Sequence, residues 1–161
     1  MADGLDFTLV GMESLIGKLG SVKYETKRRS GRTALRKAAL LVAHKGKEGA
    51  LALDDSETGR SIADNIAVRW NGRLNKRTGD LGFRIGVLKG AVLENGGDLG
   101  SGSPTPHWRL LEFGTEKMRA QPFMRSALAD NISATVNEFA THYEKGLDRA
   151  IKRAAKKGTT A

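Results

Sequence analysis

The chain is 161 residues long, 39% hydrophobic and 28% charged, one compact domain's worth of sequence with enough apolar content for an unaided core. It carries 27 lysines and arginines against 18 acidic residues, a net charge of +9, and no cysteine. This excludes a disulfide scaffold, thiolate metal sites and a cysteine nucleophile, and three scattered histidines offer no histidine metal cluster. Asp3 and Asp6 stand where a secretory signal would be basic and then apolar. The longest apolar stretch, 38–43, is far short of the roughly 20 residues a membrane span needs, so no membrane partner is expected.

Taken in order, Val10, Met12, Leu15, Ile16 and Leu19 suit a short helix ended by Gly20. The basic run Lys23, Lys27, Arg28, Arg29 and Arg32, set against Glu25 alone, leads into Leu35, Ala38, Ala39, Val42 and Ala43 at helical spacing. One helix over 25–52 is predicted, with a solvated basic first half, although Gly31, Gly46 and Gly49 disfavour it. After a polar break at 54–59, Ile62 and Ile66 suit a short helix.

The period then changes from helical to two. Ile66, Val68 and Trp70, then Leu81, Phe83, Ile85 and Val87, alternate with polar or small residues as half-buried strands do. The turn chemistry of 75–80 pairs them as an antiparallel hairpin. Glycines and prolines over 94–106 predict a loop that is functional or mobile until docked. Beyond Pro122, the residues Phe123, Ala127, Leu128, Ile132, Val136, Phe139, Tyr143, Leu147 and Ile151 trace one apolar stripe. Unbroken, that helix would be about 50 Å long, with Gly146 as the place for a bend or an early end. The fold class is α+β: a small antiparallel β-sheet (a hairpin about 65–88) packed with an amino-terminal helical region and a long carboxy-terminal helix. One domain over 1–161 is expected, with a flexible basic tail from about 153.

Chemistry is thinly represented. The glycine-rich stretch 96–102 lacks the Lys-Ser/Thr pair and the helix start of a phosphate cradle, so it reads as surface loop and no cofactor is expected. Glu112 and Glu116 could do acid–base work, but Lys117 and Arg119 are ready ion-pair partners and solvated carboxylates are the commoner case. His44, His107 and His142 fit no catalytic or metal-binding spacing, and no enzyme activity or small-molecule substrate is expected. The basic residues Lys27, Arg28, Arg29 and Arg32 suit a solvated helix face, an acidic protein partner or DNA, without the interleaved aromatics of a single-strand binder.

The densest stretch runs from Pro106 to Met124. Trp108, Leu110, Leu111 and Phe113 form an apolar cluster, Gly114 turns the chain, and Gln121-Pro122 launches the final helix. An aromatic followed by Leu111-Glu112-Phe113-Gly114-Thr115, a short basic spacer and Ala120-Gln121-Pro122-Phe123-Met124 resembles the HK97-type tail-component family of tailed phages, named for the tenth gene product of its type phage. Thr58-Gly59 followed by Ser61-Ile62 fits in the right order, while the proline and leucine usual around Thr-Gly are missing.

The resemblance implies a structural virion protein: a ring-forming tail-completion or head–tail neck component that finishes the tail and joins it to the DNA-filled head. The alternatives are a tail terminator capping the tube and, from another class, a nonspecific basic DNA-binding protein. Implied partners are further copies of the chain in a ring, a hexamer by resemblance, with adjacent neck and tail-tube proteins and passing contact with genomic DNA. The implied location is the neck or upper tail of the virion, with the host cytoplasm during assembly. On this reading Trp108, Leu111, Glu112, Phe113, Gly114, Thr115, Pro122 and Phe123 are motif and core. Lys76, Arg77, Ile132, Val136, Phe139, Tyr143 and Leu147 contact other subunits or neighbouring rings.

Overall fold

The computed structural model describes residues 16–18, 22–53, 61–88, 105 and 107–158. In chain order these form α1 (Tyr24–Leu51), a 3-10 turn (Ala63–Asn65), β1 (Ile66–Trp70), α2 (Gly72–Thr78), β2 (Phe83–Val87), α3 (Trp108–Phe113), α4 (Phe123–Ala129) and α5 (Ile132–Gly158). Residues 16–18 are also helical. The rest of the expected 10–19 helix, the Thr58-Gly59 element and the 94–106 loop except Thr105 lie outside the described residues.

The architecture is α+β, and α1 is its spine. Its 28 residues reach about 42 Å and bury Gly31, Ala34, Ala38, Ala39, Val42, Ala43, Gly46 and Ala50 on one face. The glycines that disfavour this helix by propensity are where other elements come closest. A Cβ at Gly46 would stand 2.9 Å from Met124 Sδ, and one at Gly49 would stand 3.1 Å from Phe123 Cβ. Small residues along α1 thus admit α4 and α5 to close range, and tertiary contact outweighs the local cost of about 1 kcal/mol per glycine.

The strands pair antiparallel, with Ile66 opposite Val87, Val68 opposite Ile85 and Trp70 opposite Phe83, so one face of the ribbon is apolar. That face packs against the core built around Ala43, Ala50, Ile62, Ala63, Ile66 and Phe123. Ile62 and Ile66 do not share a helix, as their spacing suggested. Ile62 leads into the 3-10 turn, where the Asp64 amide donates to Ser61 Oγ at 3.3 Å, and Ile66 opens β1. The connection between the strands is also more than a turn. Asn71 caps α2 by accepting from the Leu74 amide at 3.2 Å, and Gly79, at φ 79°, closes it in the left-handed conformation.

The long carboxy-terminal helix is divided, and not at Gly146. The break falls at Asp130 and Asn131, between α4 and α5, where the Asn131 side-chain amide donates to the Ala127 carbonyl at 3.1 Å. Side chains of this kind offer the backbone an alternative to the helix ladder and so mark its ends. Gly146 lies within α5, where a Cβ would stand 3.0 Å from Ser30 Cβ, so its role is close approach to α1. The basic tail expected to be flexible from about 153 is helical to Gly158. Lys18 ties the helical residues 16–18 to α5, lying 2.7 Å from Glu144 and 3.0 Å from Asp148.

Candidate functional site

The stretch from His107 to Arg125 is built around one buried carboxylate. Glu112, on α3, is 2% exposed. Its Oε2 accepts the Met124 amide at 2.9 Å, and its Oε1 accepts the Arg125 amide at 3.0 Å and Arg125 Nε at 3.1 Å. The Arg125 guanidinium also donates to the Glu112 main-chain carbonyl. Pro122, at the amino-terminal boundary of α4, makes no side-chain cap, so Glu112 supplies the acceptors that this helix start lacks.

The turn between them has its own requirements. Gly114 sits at φ 77°, and a Cβ there would stand 2.8 Å from the Ala120 amide nitrogen and 2.9 Å from the Met118 carbonyl. Thr115 Oγ1 accepts the amides of Lys117 (3.3 Å) and Met118 (3.1 Å), and the Gln121 amide reaches back to the Leu111 carbonyl at 2.7 Å. Leu-Glu-Phe-Gly-Thr and Pro-Phe-Met are therefore two halves of one clamp that seats Phe123, which is buried, against α1.

Acid–base chemistry from Glu112 with Glu116 is not assembled. Glu112 is committed to the α4 start, and Glu116 is exposed in the turn. His44 lies 3.0 Å from Glu48 and His142 lies 2.9 Å from Glu138, each four residues apart on its own helix. Among the described residues no group of three or more histidines and carboxylates could hold a metal.

Phe113 corrects the expectation of a core residue, being 64% exposed. Trp108 and Leu111, three apart, pack toward the core, which leaves Leu110 and Phe113 on the opposite side of the short α3. The Arg125 guanidinium lies 5.2 Å from the Phe113 ring centre, and Leu128 on α4 is exposed as well. Leu110 and Phe113 on α3 and Leu128 on α4 are thus three large apolar side chains exposed on two helices in contact.

The α5 stripe is similarly divided. Leu147 is fully buried within the chain, so its expected role as a contact to another subunit is corrected: the fold itself consumes that side chain. Ile132, Val136, Phe139 and Tyr143 are half-buried. Phe139 and Tyr143, with ring centres 5.4 Å apart, line a largely apolar groove of about 390 Å³ with Leu35 and Leu81. Burial pushes the Tyr143 hydroxyl above its ordinary pKa.

The basic run does not form one patch. Lys27 and Arg28 border that apolar groove, and Arg28 donates to the Tyr24 hydroxyl at 3.2 Å. Arg32 stacks over Trp70 at 4.2 Å, and Arg29 faces a separate groove with residues of α5. Lys76 and Arg77 are exposed in the last turn of α2, not at the tip of a tight turn, and there they complement the helix dipole. The grouping of Arg29 with Arg149 and Arg153 escaped the sequence reading. Its one signal was the spacing of 142, 146, 149 and 153, which puts all four on one face of a helix.

A family model described as "Bacteriophage HK97-gp10, putative tail-component" matches residues 13–114. The match runs from before α1 to the Gly114 turn, so α4 and α5 lie beyond it. No curated protein and no solved structure matches the chain.

Proposed function

The chain belongs to the HK97-gp10 family of bacteriophage tail components, and from that premise we propose that it is a ring-forming tail-completion or neck subunit that joins the tail to the filled head. The observation that carries this reading is the exposure of Leu110, Phe113 and Leu128 on α3 and α4, the two helices joined by the clamp. Three large apolar side chains exposed on adjoining elements are the surface a repeated subunit contact buries. A head-to-tail contact whose rotation closes gives a ring. The rigid attachment of α3 to α4 through Glu112 supports the same reading, since it fixes the two helices that carry these side chains relative to one another.

Electron microscopy of a lysate from phage lacking this gene tests the proposal. Full heads beside finished but unattached tails are the expected result. Tails of irregular, extended length would assign the subunit to tube termination instead, and normal infectious particles would overturn the reading.

A further inference from the structure

We propose that the groove between the first half of α1 and the second half of α5 binds the phosphodiester backbone of nucleic acid without regard to sequence. The groove has a volume of about 660 Å³ and is lined by Arg29 from α1 and by Arg149 and Arg153 from α5. Thr26 and Ser30 also line it, adding hydroxyl groups to the guanidiniums, while Thr33 in the same wall donates its hydroxyl to the Arg29 carbonyl at 3.1 Å.

The charges there are available. Among the described residues no carboxylate lies within ion-pair distance of Arg29, Arg149 or Arg153. Other arginines are engaged elsewhere: Arg32 on Trp70, and Arg125 on Glu112 and Phe113. The nearby α5 carboxylates Glu144 and Asp148 meet Lys18 on a different face of the helix, and His142 in the groove wall meets Glu138. Glu25 is the one carboxylate lining the groove, so three guanidiniums leave it net positive.

The same lining decides the class of partner. A protein partner would seek aromatic or large aliphatic anchors at the centre of its contact. This groove has none: its remaining walls are Gly146, Ala150 and Ala154. Guanidiniums and hydroxyls without an apolar anchor are the groups that meet phosphate oxygens in sequence-independent contacts. Arg149 and Arg153 are one helical turn apart, a rise of about 6 Å, so they can address successive phosphates. Arg149 is also held in place, its Nε donating to the Lys145 carbonyl at 3.0 Å. The inference does not depend on the tail-completion reading.

Binding of the full chain to random-sequence duplex DNA tests it, read by fluorescence anisotropy between 50 and 200 mM salt. Contacts from the three arginines alone make affinity fall about 40-fold over that range. Replacing them together (Arg29→Gln, Arg149→Gln, Arg153→Gln) is expected to weaken binding at 50 mM at least 10-fold and to flatten the log–log salt slope by about 3. A matched triple on exposed residues elsewhere (Lys76→Gln, Arg77→Gln, Lys117→Gln) is expected to move the slope by less than about 1. All three groove residues are exposed, so the variant should keep the wild-type melting temperature. No binding at 50 mM salt would overturn the proposal, as would equal losses in the two triples. Equally tight binding of a polyglutamate peptide of matched charge would also overturn it, assigning the groove to an acidic protein.

Discussion

Glu112→Gln exchanges one carboxylate oxygen for an amino group while leaving the side chain's shape almost unchanged. In the native structure both oxygens accept from the first turn of α4, so the amide must point its NH₂ at a backbone N–H that has no other acceptor. One lost hydrogen bond to a charged group removes about 1.5–3 kcal/mol. Losing the negative charge at a helix amino terminus removes a further ~0.3–1 kcal/mol. The expected destabilisation is therefore about 2–4 kcal/mol, a fall in Tm of roughly 4–16 °C for a chain of this size. Urea unfolding followed by circular dichroism, at a protein concentration low enough to suppress association, measures it directly. Glu116→Gln is the control, because its exposed side chain should change stability by less than about 0.5 kcal/mol. If Glu112→Gln were as stable as Glu116→Gln, the carboxylate would not be organising the start of α4, and the account of the motif as a clamp would be wrong.

Three further outcomes follow from burial and charge. Phe123→Ala should cost about 3–5 kcal/mol in the same unfolding assay, since that ring is buried against α1. Phe113→Ala should cost less than about 1 kcal/mol yet reduce self-association in analytical ultracentrifugation, a pattern that would reverse if Phe113 were core. With rising pH, stability should hold through neutrality and decline above about pH 10. The hydrogen bonds of Lys18 to Glu144 and Asp148 raise its pKa in the fold, and burial raises that of Tyr143. Both groups therefore stabilise the native state fully below their unfolded values, and the contribution disappears as pH climbs through the raised folded ones. A pH series of melting temperatures checks this, and a flat profile to pH 11 would contradict it.

The parts of this fold that were legible in the sequence are those governed by local periodicity. The helix expected over 25–52 occurs as Tyr24–Leu51, and the alternating runs pair as strands, because burying one face of each needs only the spacing of apolar residues. Capping, where two signals compete, was harder to read. Asn71 and Gly79 bracket a helix in chemistry that equally describes a turn, and Asp130-Asn131 interrupts a stripe whose apolar spacing runs straight through it. The site divides in the same way. Leu111-Glu112-Phe113-Gly114-Thr115 was identifiable as a unit, but not that Glu112 faces inward and Phe113 outward. That depends on where α4 begins, ten residues later, and no local pattern contains it. The basic run offered charge without direction, and only α5, more than a hundred residues away, separates Arg29 from its neighbours.

The buried face of α1 also determines where the entropy of folding is lost. Seven of its eight buried positions are glycine or alanine, with Val42 the exception, so hardly any side-chain rotamer freedom disappears when this surface is sealed. The loss falls on the backbone instead, most heavily at Gly31 and Gly46, whose unfolded chain is the freest. The usual stabilising exchange of glycine for alanine, which works by restricting the unfolded chain, requires the Met124 side chain to shift at Gly46, whereas at Gly31 the added methyl would meet Leu81 Cδ1 at an ordinary 3.4 Å. A spine built this way holds its neighbours through backbone proximity, so at Gly46 it can be strengthened only if the Met124 side chain on the helix against it makes room.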